Sequence, residues 1–390
     1  MIGGNAMGSF VTSDKYTSLL VVGNGFDCSL GAKTTYEAFY GLLSKAFNAV
    51  SFNNFLEEID KAYNRDALES FFNLVSQERL TNYFINYFIL YNKAFDCWVD
   101  FEKELEKIII SFDSLVTILL DKNKTQFNVP DFYLKLTDNL SLISVILNYP
   151  KNNYFHSFQV GKDFYIFHIQ GCSFKSEKVL INELEKFISS FPKNLYKDLS
   201  LFSKLFVTYL SIIENDVTYS KEHAFIKGCE IAINYNYTNY LEHFYKRNNY
   251  SSQRILYING KCDYEKLDDK IVFGIDSNVI IKNKQFFIFT KTAQRSIKNT
   301  DIRYLTNFFT YYYFTKIIIY GHSLSAADKE TLQYILKKSK YADSKDFKII
   351  IYCYNEDTKL NIISNLKEIL GLEYLIDLQN TDKLIFKDIE

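Results

Sequence analysis

Leu19-Leu20-Val21-Val22 is a run of four apolar residues and reads as a fully buried strand. It leads into Gly23-Asn24-Gly25-Phe26-Asp27, and beyond that Tyr36, Phe39, Tyr40 and Leu43 recur at helical spacing within Ala32 to Leu43. Strand, glycine turn and helix form the opening unit of a doubly wound nucleotide-binding fold, in which a helix N-terminus faces a phosphate. Without a third glycine, the G-x-G is equally a strand that needs a sharp turn.

The pattern then changes. Phe71–Leu80, Tyr83–Phe101, Glu102–Ile110, Lys178–Ser190 and Leu195–Glu214 carry apolar residues three and four apart, which predicts amphipathic helices. Pro130 and Pro192 sit at predicted breaks, and Val160–Phe167 reads as a short hairpin or strand. Strand-like runs return at Glu230–Asn234, Arg254–Ile258, Lys270–Gly274, Lys316–Tyr320 and Phe347–Tyr352. Their continuous Ile and Val content suits a mainly parallel sheet covered on both faces. Helical patterns at Ala327–Lys338 and Asp357–Leu370 separate several of them. The expected fold is α/β: a nucleotide-binding core from residues 15–44 and 226–390, with a mainly helical insertion over 45–225.

Composition narrows this picture. The 390 residues are 47% hydrophobic, enough for a sizeable core in one large or two ordinary domains. The 31 Tyr and 35 Phe look partly like codon bias, so they do not define a binding surface. Net charge is −1, which argues against bulk attraction to nucleic acid. Cys28, Cys97, Cys172, Cys229, Cys262 and Cys353 are dispersed and read as free buried thiols in a reducing cytosol. Residues 1–14 lack a signal-peptide pattern, and no apolar run is long enough to span a membrane. A cytoplasmic protein without a membrane partner is expected.

Polar clusters directly follow the strand runs, where open α/β sheets place their ligands. They are Gly23–Asp27, Asn234–Glu242, Ile258–Lys261, Ile275–Ser277 and Tyr320–Asp328. Several such clusters at equivalent places suggest a convergent polar pocket. Asn24 and Asp27 either touch a ligand or cap the following helix. His322 is either a ligand contact or a packed, hydrogen-bonded histidine. Asp328 is expected to cap or pair at the start of the helix after it. Trp98 reads as core, with Glu102 four residues later on the same face and able to reach the pocket. Lys291, Gln294 and Arg295 either meet a phosphate or partner, or form a solvated face. His156, His168, His223 and His243 have no metal-ligand spacing, so no metal is expected. Serine-hydrolase and P-loop motifs are missing from the sequence.

The chain resembles the AbiH family of phage abortive-infection proteins. The resemblance rests on Val22–Asp27, Leu30-Gly31, Thr35-Tyr36, Phe39, Trp98–Glu102 and Asn236–Asn239. It extends through Gly274–Asp276, Lys291, Gln294, Gly321–Leu324 and Asp328. It implies intracellular antiviral defence by growth arrest or death. A second, more distant resemblance is to sirtuin-like NAD-consuming domains, whose motif order is similar. That resemblance implies a sirtuin-like, Rossmann-type core with NAD as substrate or ligand, and it aligns Asn236 with the catalytic Asn. Tyr237 falls beside it, Thr238 replaces an Asp, and Glu242 matches a common downstream Glu. Gly321-His322-Ser323 falls on the segment lining the ribose side. On these grounds Asn236, Asn259 and Asp27 are the candidate catalytic residues. Gly23, Asn24, Gly25, Phe26, Tyr237, Glu242, Gly260, Asp276, Gly321, His322 and Ser323 are the candidate nucleotide contacts. A homo-oligomer or a defence-system partner is implied by the same resemblance.

Asn259 departs from both patterns, which tend to have His before this Gly. An asparagine cannot take a proton at neutral pH, whereas His can. The expected loss relative to a His version is roughly 10²–10⁴-fold. The sequence therefore supports an NAD-hydrolysing effector, or a sensor that binds a nucleotide without turning it over.

Overall fold

The computed structural model describes residues 16–59, 63–79, 81–90, 98–120, 160–161, 164–165, 177–217, 219, 224–267, 270–338 and 347–389. Strands β1 (Tyr16–Val22), β4 (Ile231–Asn234), β5 (Ile255–Tyr257), β6 (Tyr313–Tyr320), β7 (Lys348–Cys353) and β8 (Leu384–Asp388) form one sheet. Two further pieces, β2 (Val160–Gly161) and β3 (Phe164–Tyr165), pair as a separate antiparallel ribbon. Every pairing in the main sheet is parallel, in the order β5-β4-β1-β6-β7-β8. Counted along the chain, that is 3-2-1-4-5-6, a doubly wound order that reverses between β1 and β6.

Side-chain alternation explains the two covered faces. Leu19, Val21, Ile317, Ile319, Ile349 and Ile351 pack one way, against Leu332, Ile335, Ile362 and Leu366 of the later helices. Leu20, Val22, Ala232 and Ile318 pack the other way, with Phe26, Tyr240 and Phe244. Both sides exclude water, so the strands need no polar face and read as continuous apolar runs.

The helices of the first half are α1 (Asn24–Ser29), α2 (Tyr36–Asn48), α3 (Phe52–Glu57), α4 (Arg65–Glu78), α5 (Tyr83–Leu90), α6 (Trp98–Leu120) and α7 (Glu177–Ile213). Helices α2 and α4 to α7 bury a shared aromatic core around Tyr36, Phe39, Phe88, Phe101, Phe202 and Phe206. Phe101 and Phe202 stack at 5.8 Å, and each such pair contributes about 0.5–1.5 kcal/mol beyond its buried area. This core also takes in Ile271, Phe273, Ile275, Phe286 and Phe289 from the second half of the chain. Residue 44 lies within α2, and the helices of the first half pack against these residues of the second half.

Three elements differ from the sequence reading. Lys270–Gly274 forms no strand; it is irregular chain whose Phe273 is bonded by the buried Gln294 side chain. Pro192 lies inside the 37-residue helix α7. Phe191, Leu195 and Leu199 are buried around it, and their packing offsets the one lost hydrogen bond. The edge strand β8 was not expected, because Leu384–Asp388 is short and half polar. Residues 1–14, Pro130, Cys97, Cys172, His156, His168 and His223 lie outside the described residues, as does most of Val160–Phe167 beyond its two strand pairs. Among the described residues, no helix is long and apolar enough to cross a membrane.

Candidate functional site

Helix α1 starts directly after β1, so Gly23 and Gly25 sit on the sheet's C-terminal rim. The turn after β6 meets them there. The Gly25 amide donates to the Gly321 carbonyl at 2.8 Å. A Cβ on Gly25 would lie 2.7 Å from Gly321 Cα, and one on Gly321 would lie 2.3 Å from the Phe26 amide nitrogen. Gly321 also has φ +65°, a conformation that favours glycine. These glycines therefore allow two backbone turns to touch.

Beside that contact is a cavity of about 250 Å³. It lies at the C-terminal ends of β1, β4 and β6, where the strand order reverses. Of the expected residues, Gly23, Asn24, Gly25, Asp27, Asn236, Tyr237, Asn259, Gly321, His322 and Ser323 line it. Four others lie elsewhere. Phe26 is core, edge-on to Phe244 and Tyr320, because its side chain points under the sheet rim. Glu242 is turned to Lys261, at 2.6 Å, and to the Tyr257 hydroxyl. Gly260 holds a turn against the Lys270 carbonyl. Asp276 accepts from Asn278 and lines an adjoining cavity that shares Glu102 and Ser325 with the first.

Asp27 is the best-held group of the site. Asn236 Nδ2 donates to its Oδ1 at 2.7 Å and Thr238 Oγ1 donates to its Oδ2 at 2.7 Å. Asn236 Nδ2 also reaches the Gly23 carbonyl at 3.0 Å, which ties β4's loop to β1's. Burial pushes the Asp27 carboxyl up to about 7, against the lowering effect of those two donors. Neither Asn24 nor Asp27 caps a helix. Asn24 Oδ1 accepts from Thr34, and Thr35 caps α2.

A buried ion cluster forms the opposite wall. Helix α9 (Lys291–Ile297; α8, Tyr240–Arg247, precedes it) carries Lys291 and Arg295. Lys291 Nζ lies 2.7 Å from Glu102 of α6 and 3.2 Å from Asp328. Arg295 Nη2 lies 2.7 Å from Asp328. Lys291, Gln294 and Arg295 are buried, so the solvated-face alternative is excluded. Burial alone would raise Asp328, but Lys291 and Arg295 outweigh it and hold the carboxyl down to about 2. Arg295 also donates to Asn259 Oδ1 through Nε at 3.2 Å and Nη2 at 2.8 Å. Position 259 is thus the acceptor for a guanidinium. His322 is lowered to about 4, chiefly by burial.

The sequence reading did not single out Thr34, Phe206, Leu210, Tyr235 or Ser325, which also line the cavity. Phe206 and Leu210 lie four apart on α7 and carry only a core signal; Tyr235 and Ser325 lay within clusters already noted.

The sheet order defines an open α/β protein, with a cavity at the point where that order reverses. A family model described as bacteriophage abortive infection AbiH matches residues 19–350. The chain belongs to that family, which suggests a function in phage abortive infection. No curated protein and no solved structure matches it.

Proposed function

We propose that this chain acts in abortive infection by binding NAD or a related nucleotide in the switch-point cavity and hydrolysing its nicotinamide–ribose bond. The observation that carries the reading is Asp27, a buried carboxyl in the cavity wall with both oxygens oriented by Asn236 and Thr238. When this bond breaks, nicotinamide leaves with the electron pair and positive charge builds on the ribose. Water then adds to the ribose carbon and releases a proton. An ionised Asp27 stabilises that charge and accepts the proton, and a carboxyl near 7 suits the task. The 3-2-1-4-5-6 strand order also supports a dinucleotide site.

The lining residues fit the ribosyl–nicotinamide half. Ser323 and Ser325 supply hydroxyls, and Phe206, Leu210 and Tyr237 supply apolar surface. Lys291, the cation among the lining residues, is already paired with two carboxylates. A second reading, a sensor that holds the nucleotide intact and signals to a partner or a second copy, is favoured by Asn259, which cannot take up a proton at neutral pH.

The test is NAD consumption by the native chain and by Asp27→Asn and Asn236→Ala, with bound nucleotide assayed after denaturation. Consumption that falls at least about 100-fold in Asp27→Asn supports hydrolysis. Bound nucleotide without consumption selects the sensor. An empty and inactive native protein refutes both.

A further inference from the structure

The loop after β6 is strained in a way that aims one proton. Leu324 is a buried non-glycine residue at φ 54°, an unfavourable conformation for a bulky side chain. That geometry lets its backbone N–H donate to Nδ1 of His322 at 2.9 Å. Because Nδ1 accepts, the ring proton of the neutral imidazole is on Nε2. The Tyr235 ring lies edge to face with the imidazole at 4.4 Å and fixes its plane.

Nε2 of His322 faces Oδ2 of Asp328 at 3.8 Å, beyond hydrogen-bond distance. The other Asp328 oxygen, Oδ1, is taken by Lys291 and Arg295. Among the described residues, neither Nε2 of His322 nor Oδ2 of Asp328 has a hydrogen-bond partner. The two side chains are only 5% and 8% exposed, and both line the cavity. A donor and an acceptor, each uncommitted and on the cavity wall, stand side by side.

A hydroxyl matches such a pair, since one oxygen both accepts and donates. A phosphate or carboxylate oxygen would accept from Nε2 but bring a second negative charge against Asp328. An ammonium would satisfy Asp328 but meet the Nε2 proton head-on. We propose that His322 and Asp328 form a hydroxyl-reading subsite, in which a ligand hydroxyl accepts from Nε2–H and donates to Oδ2. For a nucleotide this is a ribose hydroxyl, so the site takes ribonucleotides over their deoxy counterparts. The identity of the hydroxyl rests on the nucleotide reading; the subsite itself does not.

The experiment is long-range ¹H–¹⁵N NMR of His322 in the native chain, titrated with NAD and with D-ribose, alongside calorimetry with single-deoxy analogues of NAD. The expected result is an Nε2–H tautomer whose signal shifts with both probes, and one deoxy analogue that binds about 10–100-fold more weakly than NAD. His322→Leu is expected to bring NAD down to that analogue's affinity; the native spectra decide the matter if this variant does not fold. NAD that binds with His322 unmoved, every analogue matching it within about twofold, overturns the proposal. If NAD does not bind, the nucleotide reading fails, and D-ribose alone decides: a shifted His322 signal supports the subsite and an unmoved one overturns it.

Discussion

Asn236 and Asp27 are joined side chain to side chain at 2.7 Å, although 209 residues separate them in the chain. The contact exists because β1 and β4 are neighbouring parallel strands whose C-terminal ends open on the same rim. Truncating Asn236 to Ala removes the donor to both Asp27 and the Gly23 carbonyl. A buried oxygen left without its donor costs about 1–3 kcal/mol, so thermal unfolding of Asn236→Ala is expected at a clearly lower temperature. An unchanged melting temperature would show that water replaces the amide at no cost.

Asp27 itself should make stability depend on pH. Its folded-state pKa, about 7, lies above the ordinary carboxylate value of 3.8, so the folded protein binds the proton more tightly than the unfolded chain. That contribution is complete below about pH 4 and is lost as pH rises through about 7. The upper limit is about 4 kcal/mol over this window. Asp27→Asn should remove that slope, with the Thr238 hydroxyl turning to accept from the new amide. Asp198, also raised to about 7 by burial, leaves a slope of its own in both proteins. The difference between the two stability curves from pH 4 to 8 is therefore the quantity to measure. Parallel curves would mean Asp27 is ionised throughout.

Much of the site was legible because strand ends can be read locally. Leu19–Val22 and Lys316–Tyr320 are apolar runs that stop at glycine-bearing turns, and parallel pairing brings such ends together. What could not be read was direction. Phe26 adjoins the pocket-lining Gly25 but turns into the core, and Glu242, in the first turn of α8, turns to Lys261. Lys291 and Arg295 carry no sign in the sequence that they are buried. Their burial depends on Asp328, some 33 or more residues away, and on Glu102 from the helical block.

The ion cluster that joins Glu102 to Lys291 should behave as a pair. Lys291→Met leaves Glu102 without its partner in a buried site and is expected to destabilise by about 3–5 kcal/mol. Adding Glu102→Gln should restore a large part of this, because Asp328 keeps Arg295. Urea unfolding of both singles and the double gives the coupling directly. Additive losses would mean the two side chains do not share an energy.

Gly25→Ala and Gly321→Ala test whether these glycines serve packing or ligand approach. In both, the new methyl meets backbone, at 2.7 Å and 2.3 Å, and at Gly321 the positive φ adds strain. Both variants should therefore lose stability, by about 2 kcal/mol or more, in the absence of any nucleotide. Native stability with weakened nucleotide binding would assign them to the ligand instead.

Asn259→His tests the missing histidine. The nitrogen of an imidazole at 259 that replaces Oδ1 would accept from Arg295, which already donates there twice. The guanidinium also disfavours an imidazolium beside it. A histidine so placed is neutral with its lone pair engaged, which leaves it nothing with which to take a proton from water. NAD consumption by Asn259→His is therefore expected within about tenfold of the native chain, well short of the roughly 10²–10⁴-fold that a working base supplies. A gain in that larger range would show that Arg295 releases position 259 when the substrate enters, and would return the catalytic proton from Asp27 to residue 259.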